Sequence, residues 1–506
     1  MKPVSIWNWW RKQAQKRHGN ENTGQDSDFL EADNTPITRE NVRERLRDMD
    51  DLVVIENRIN GEDVTIVYIN TLIKKIILQE LIFDPLQQLG VHEPGSLFPL
   101  AETICENEFA KLVRGIVAGG TVLFFHERNL ILLIDTNSME ERSITSSESE
   151  STILGPQDSF TESLETSVSL IRRRIVSSNL KVRTMTLGTE TNSHVVVMYM
   201  ENLANPENVE RVLFRLKNIE FQGFVGLPIL KQMIEDKPYS PFPQLGLTGR
   251  PDNAVAGLLN GRIVIMINGS PDAIICPSTF LELFNSPEDF YTRWSTATML
   301  RLIRFSGLFI SVLLTSSYVS VLTYHPEMLP PQLLLVLMES RSKVPFPPVI
   351  EVMFIEIIIE ILREAGARMP SKIGQTIGIV GGIVIGTASV QAGLASNILI
   401  VIVSISALLS FVTPTYLLSN AIRVVRYIFI LGAGSLGMYG QMLALALLFA
   451  HLLNLTSLGS PYMTPVIPRD WGDLANSLFR APISFILSRS GMSRAKKQLS
   501  RPLDEE

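Results

Sequence analysis

From Leu302 to Leu455 the chain is a succession of long apolar runs, whereas up to about Arg304 charges are scattered through every stretch. That asymmetry restricts the second half to a bundle of membrane helices. The run from Leu302 to Tyr324 alone can cross a bilayer core of about 30 Å. Further candidate spans are Val349–Leu362, Ile373–Val390, Leu394–Val412, Tyr416–Ala433 and Leu436–Leu455. Six crossings return the C-terminus to its starting side. Four remain if the acidic Val349–Leu362 and the arginine-bearing Tyr416–Ala433 lie in the interface. Arg293, Arg301 and Arg304 precede the first span, so the excess of positive charge places the soluble half in the cytoplasm. Arg363, Arg368, Lys372 and the basic tail from Arg480 to Arg501 agree with that side.

The soluble half opens on a basic segment with Trp7, Trp9 and Trp10, which lacks the apolar core and cleavage site of a signal peptide. It suits either an anionic membrane surface or a disordered tail. With a linker and an exposed charged helix over Arg39–Met49, it occupies residues 1–50. A first subdomain spans 51–142, with strands expected at Val64–Ile69, Thr121–Phe125 and Leu130–Ile134. The polar stretch 143–158 is a linker. A second subdomain follows over 159–292, with helices at Leu164–Val176 and Val209–Asn218 and strands at His194–Met200, Arg262–Ile267 and Ala273–Cys276. Strands alternating with helices make this half α/β in two subdomains. The polytopic all-α membrane domain covers 293–490, with four to six helices, and 491–506 is a cytoplasmic tail. A net charge of −6 gives no footprint for nucleic acid. Cys105 and Cys276 stand apart from other ligands, and no metal or cofactor is implied.

Two patterns in the membrane half are candidate functional features. Gly374, Gly378, Gly382 and Gly386 recur every fourth residue and form one narrow helix face, open to a close neighbour within the subunit, between subunits or beside a pore. Just before them, Glu356, Glu360 and Arg363 share a helical face while Glu351 points elsewhere. Acids at membrane depth are costly without water or a partner charge. Glu351, Glu356 and Glu360 are therefore candidate ion-path acids, which in a symmetric oligomer make cation-favouring rings, unless the helix lies among headgroups with its acids solvated. Arg363, Arg423 and Arg426 are candidate charge partners; Arg423 and Arg426 are expected to snorkel to the interface. Gly432-Ala433-Gly434-Ser435-Leu436-Gly437 matches a dinucleotide fingerprint in letters, but its apolar flanks predict a helical hairpin or kink. Of Arg172, Arg173 and Arg174, at least one is expected to be structural. No catalytic motif is present, so an enzyme is not expected.

Several ordered segments resemble the A subunits of GerA-type spore germinant receptors, from about Ile66 to Ser490. They include Phe160–Leu164 with Leu170–Ile175, Ile234–Gln244, Arg250-Pro251-Asp252, and Asn268–Pro271 after Gly261-Arg262. In the membrane half they are His325–Met328, Val344–Pro347, Glu360–Gly366 and Pro370–Gly386. Gly249 and Gln391 stand where acids are frequent in that family. The resemblance implies a subunit of a complex in the inner membrane of spores, beside a permease-like B subunit that binds the nutrient and a lipoprotein C subunit. It also implies self-association into a ring, a pentamer, that acts as a ligand-gated cation channel in contact with membrane lipids. An amplifying channel without its own nutrient-binding partner, or a non-conducting scaffold, are the rival readings.

Overall fold

The computed structural model describes residues 36–137, 150–368 and 371–480, with short omissions at 60, 88–93, 106, 151, 153 and 470, and residues 482, 495 and 496. The tryptophan-bearing N-terminal segment, most of the 143–158 linker and nearly all of the basic tail lie outside the described residues.

After helix α1 (Arg39–Arg45) the first sheet is built from β1 (Leu52–Ile59), β2 (Glu62–Ile69), β3 (Glu102–Thr103), β4 (Gly120–Phe125) and β5 (Leu130–Asp135), with α2 (Phe109–Val117) before β4. Its spatial order is β1-β2-β4-β5-β3, antiparallel throughout. The alternation rule fails on β4, whose six residues are all buried, because helices and side chains cover both faces. Helix α1 is exposed on one face only: Val42 and Leu46 are buried in the core beside Ile66 and Leu112. The exposed helix expected over Arg39–Met49 is thus shorter than expected and carries one buried face.

The second sheet repeats the plan. Helix α3 (Leu164–Arg174) leads into β6 (Leu180–Leu187) and β7 (Ser193–Met200). Helices α4 (Pro206–Lys217) and α5 (Leu227–Ile234) follow, then β8 (Gly246–Thr248), α6 (Pro251–Leu259), β9 (Ile263–Ile267) and β10 (Ala273–Cys276). The order β6-β7-β9-β10-β8 is the same permutation as in the first sheet, again antiparallel. In both sheets the third strand in sequence closes the far edge, and a helix precedes the fourth. The soluble half is thus a structural duplication.

The two copies are joined through the segment just before β1. Met49 adds a parallel bridge to Val182 on the β6 edge, and Asp50 N donates to Val182 O at 2.9 Å. Asp51 receives Arg172 Nε and Nη2, each at 2.6 Å, with the Arg172 side chain fully buried. Arg174 instead pairs with Asp158 at 2.7 Å. At least one member of the arginine run is therefore structural, as expected.

The helical half comprises α7 (Trp294–Tyr324), α8 (Pro331–Arg341), α9 (Pro348–Arg368), α10 (Ser371–Gln391), α11 (Asn397–Phe411) and α12 (Tyr416–Leu453). By length and composition, α7 and α12 each suffice to cross a membrane. The second is not straight. Gly437 has φ 61°, ψ −142°, and a Cβ on Gly432 would touch Ala444, twelve residues on and roughly 18 Å away in a straight helix. The chain therefore reverses at Gly437, and Tyr416–Leu453 is a helical hairpin with two antiparallel arms. The fingerprint-like glycines form its turn, in line with the hairpin or kink expected there.

Contacts fix the direction of each helix. Asp289, ahead of α7, binds Arg301, and Thr415, ahead of α12, donates to Leu283 O of the soluble half at 3.0 Å. At the opposite end Tyr324 donates to Gly434 O and Ser435 O in the hairpin turn, and Tyr318 meets Ser396 at the start of α11. Helices α7, α10 and the first arm of α12 run away from the soluble half; α9, α11 and the second arm run back. Close packing of the arms depends on glycine, since a Cβ on Gly440 would collide with the Gly432 backbone. Gly440→Val is expected to lower stability by about 1–3 kcal/mol through overpacking, read as a fall in the melting temperature of the detergent-solubilised chain.

Candidate functional site

The acids of α9 enter the bundle rather than lying along its surface. Glu351 and Glu356 are buried, 0% and 4% exposed, which is incompatible with a helix floating its acids among headgroups. Each finds charge-assisted partners within the chain, as buried carboxylates require. Glu356 Oε2 accepts from Arg426 Nη1 at 3.1 Å, and Arg426 Nη2 donates to Ser406 O at 3.3 Å. One turn on, Glu360 is paired with Arg423 and with Arg363, the latter at 3.4 Å. Arg363 also donates to Ser410 Oγ at 3.2 Å, and its guanidinium lies 4.5 Å from the Phe411 ring centroid.

The structure thus gathers Glu356, Glu360, Arg363, Arg423 and Arg426 into one cluster between α9, α11 and α12. Glu351 stands apart at the distal end. It accepts from Arg341 Nε at 3.1 Å and from Ser396 N at 2.7 Å, where it caps the start of α11. The expectation that Arg423 and Arg426 snorkel to the interface is corrected: the buried Glu356 holds Arg426 inside the bundle, and the partly exposed Glu360 holds Arg423 against α9. The Nε–H groups of Arg363, Arg423 and Arg426 are buried without a protein partner among the described residues.

Hydroxyl and amide side chains continue the polar seam. Thr315 donates to Ser406 at 3.4 Å, Ser406 to Ser311 O at 2.7 Å, and Gln441 Nε2 to Ser316 and Ser317 at 3.1 and 2.9 Å. Sequence reasoning missed Gln441 and Arg341. Gln441 was detectable as an amide inside the apolar run Leu436–Leu455; the Arg341–Glu351 contact depends on how the loop between α8 and α9 folds back.

Of the four-residue glycine ladder, all members lie in α10. A Cβ on Gly382 or Gly386 would meet nothing within 4 Å, whereas one on Gly381 would strike Leu362 of α9. Packing of α10 inside the chain therefore uses Gly381, off the ladder, and the Gly382–Gly386 stretch faces open space.

A second constellation couples the halves. Beyond α12 the chain turns back onto the second subdomain, where Leu458 is buried in the core with Val197 and Ile265. Asp236 is its anchor: it accepts from Arg215 Nη1 at 2.5 Å, from Gly459 N at 2.9 Å and from Thr456 Oγ1. Burial alone would raise this carboxyl, but these donors hold it below the usual carboxylate range. Lys237 Nζ donates to Asn454 O at 2.7 Å, and Tyr462 OH to Pro243 O at 2.6 Å. The stretch Ile234–Gln244 is thus the socket for the post-membrane segment.

A duplicated antiparallel α/β unit clamped to a helical bundle with internally paired charges defines a two-part membrane protein. The Bacillus/Clostridium GerA spore germination protein family matches residues 40–492. The chain belongs to that family, as a homologue of its A subunits. It is 38% identical to Spore germination protein GerQA of Bacillus cereus over 470 residues, covering 92% of this chain and 94% of that one. It is 35% identical to Spore germination protein KA of Bacillus subtilis (strain 168), covering 88% and 85%. The crystal structure of the N-terminal domain of the A subunit of the Bacillus megaterium spore germinant receptor GerK3 aligns at 25% identity. It covers 48% of this chain and 93% of that one, with a TM-score of 0.36.

Proposed function

We propose that this A-subunit homologue works in the spore inner membrane beside a permease-like B subunit and a lipoprotein C subunit, and that copies of it form a ring around a cation path. The alternating helix directions and the arginines flanking α7 support a reading with six crossings and the soluble half in the cytoplasm. The observation that carries the ring is the open glycine face of α10. In lipid, helices associate through close packing at small residues, and the chain itself leaves the Gly382–Gly386 stretch uncovered. Glu356 is engaged by Arg426 inside the subunit, so its charge is already matched. Glu360, with a 35% exposed side chain, is the acid of this cluster nearest to an outside path. The soluble half would transmit gating through the Asp236 socket.

The test is ion flux through the purified chain in liposomes, comparing wild type with Gly382→Leu/Gly386→Leu. Because a Cβ at either position meets nothing within 4 Å in the chain, stability is expected to change by no more than about 0.5 kcal/mol, while flux is lost with the oligomer. Flux and oligomer size both unchanged in the double variant would remove α10 from the ring contact. A wild-type chain that stays silent even with the B and C subunits and nutrient present would favour the scaffold.

A further inference from the structure

A cavity of about 580 Å³ lies where the second subdomain meets the near end of the bundle. Its walls come from β8, α6 and the 282–290 turn on the soluble side. On the bundle side they come from the start of α7, the 411–415 loop and the short helix Trp471–Leu478. The size is that of a small-molecule site, and junctions between domains are where such sites recur. Four arginines line it: Arg262, Arg301, Arg304 and Arg480.

Their charges are matched unequally. Arg262 is paired with Glu282. Arg301 and Arg304 both bind the carboxylate of the buried Asp289, at 3.0 and 2.8 Å. Arg480 is 6% exposed, and among the described residues its guanidinium donates only to main-chain oxygens, those of Thr292 and Phe290, the latter at 2.8 Å. It forms no ion pair among the described residues, and its Nε–H is buried without a protein partner there. A main-chain carbonyl satisfies the hydrogen-bonding of a guanidinium but brings no negative charge. The other acids on the walls are Asp473 and Glu150. Burial pushes Glu150 up to about 7, which weakens its negative charge near neutral pH, while the buried Asp473 remains on the bundle side of the wall.

We propose that this junction cavity is a binding site for a phosphate group, with Arg480, Arg301 and Arg304 as its cationic wall. Planar guanidinium forks match phosphate oxygens in geometry as well as charge, and basic pockets on the cytoplasmic side of membrane helices take anionic headgroups. The headgroup source rests on the orientation proposed above; a free phosphate does not. The occupant would bridge α7, the 411–415 loop and the second subdomain at the joint between the halves.

The test uses the full chain in detergent, with inorganic phosphate and with vesicles of phosphatidylglycerol or phosphatidylcholine as probes. Binding is read by thermal stabilisation and by lipid retained in native mass spectrometry. Phosphatidylglycerol is expected to be retained over phosphatidylcholine, and Arg480→Gln to weaken binding by about tenfold. Because Arg480→Gln also removes two main-chain contacts, Ser477→Leu serves as a second variant, adding bulk from the cavity wall while leaving every charge in place. It should block the same binding. Response to both probes assigns the phosphate group itself; retention of lipid without response to inorganic phosphate assigns the headgroup. Affinity unchanged in both variants, or no binding of any probe by a folded wild type, overturns the site. None of these readings uses flux, so a conducting protein that binds nothing fails only this inference, and a binding protein that does not conduct fails only the channel.

Discussion

Glu356→Ala is expected to destabilise the bundle by about 3–5 kcal/mol, the cost of leaving a buried guanidinium without its carboxylate. Arg426 is 2% exposed and has no second acid at bonding distance among the described residues. Its remaining bond, to Ser406 O, supplies a dipole rather than a charge. Arg426→Leu should cost a similar amount by stranding Glu356. The double replacement Glu356→Met/Arg426→Leu should cost far less than the two single changes together, because apolar side chains of similar volume need no compensation. Thermal unfolding of the four proteins in detergent closes the cycle. Single changes costing under about 1 kcal/mol would mean the pair is solvated, and the reading of α9 as an interior helix would fall. The double variant also bears on conduction. Flux retained in a folded chain without Glu356 removes that residue from the ion path, and altered cation preference restores it.

The membrane half was legible in outline because apolar length is a signal carried by each helix separately. Tyr416–Ala433 and Leu436–Leu455 were distinguishable as two runs, and the glycines between them permit the reversal at Gly437. Pairing was less legible. The helical period placed Glu356, Glu360 and Arg363 together, but the period of one helix says nothing about which other helix stands opposite. Arg423 and Arg426 were thus assigned to the interface. In the soluble half the strongly apolar strands β4 and β9 were visible, whereas β1 and β6 were missed. Both carry charged residues mid-strand, such as Glu56 and Arg183, which are tolerated because each is an edge strand of its sheet. The duplication was hidden for the same reason: it resides in strand order, which no local pattern records. The Asp236 socket lay within a stretch singled out for its family resemblance, but its role requires a segment more than two hundred residues later to return, as Thr456 and Gly459 do.

The joint between the duplicated units should respond as sharply as the membrane pair. Asp51→Ala is expected to cost about 3–5 kcal/mol, since Arg172 is wholly buried and Asp51 supplies both of its carboxylate contacts. Thr71 Oγ1 also donates to Asp51 at 2.9 Å, so one carboxylate ties α3 of the second unit to the turn after β2 of the first. Each unit has its own apolar core, and loss of the tie should therefore loosen the pair before either sheet melts. The expected result is one cooperative transition in wild type and two in Asp51→Ala, followed by calorimetry and by hydrogen exchange at Asp50 and Val182 amides across the joint. Arg172→Lys should behave almost as badly, because an ammonium cannot make the parallel two-point contact. A single transition with unchanged exchange at Asp50 would show that the β6 edge bridge, rather than the ion pair, holds the units together. The joint is where the first unit touches α3 and β6 of the second unit, the unit that carries the Asp236 socket.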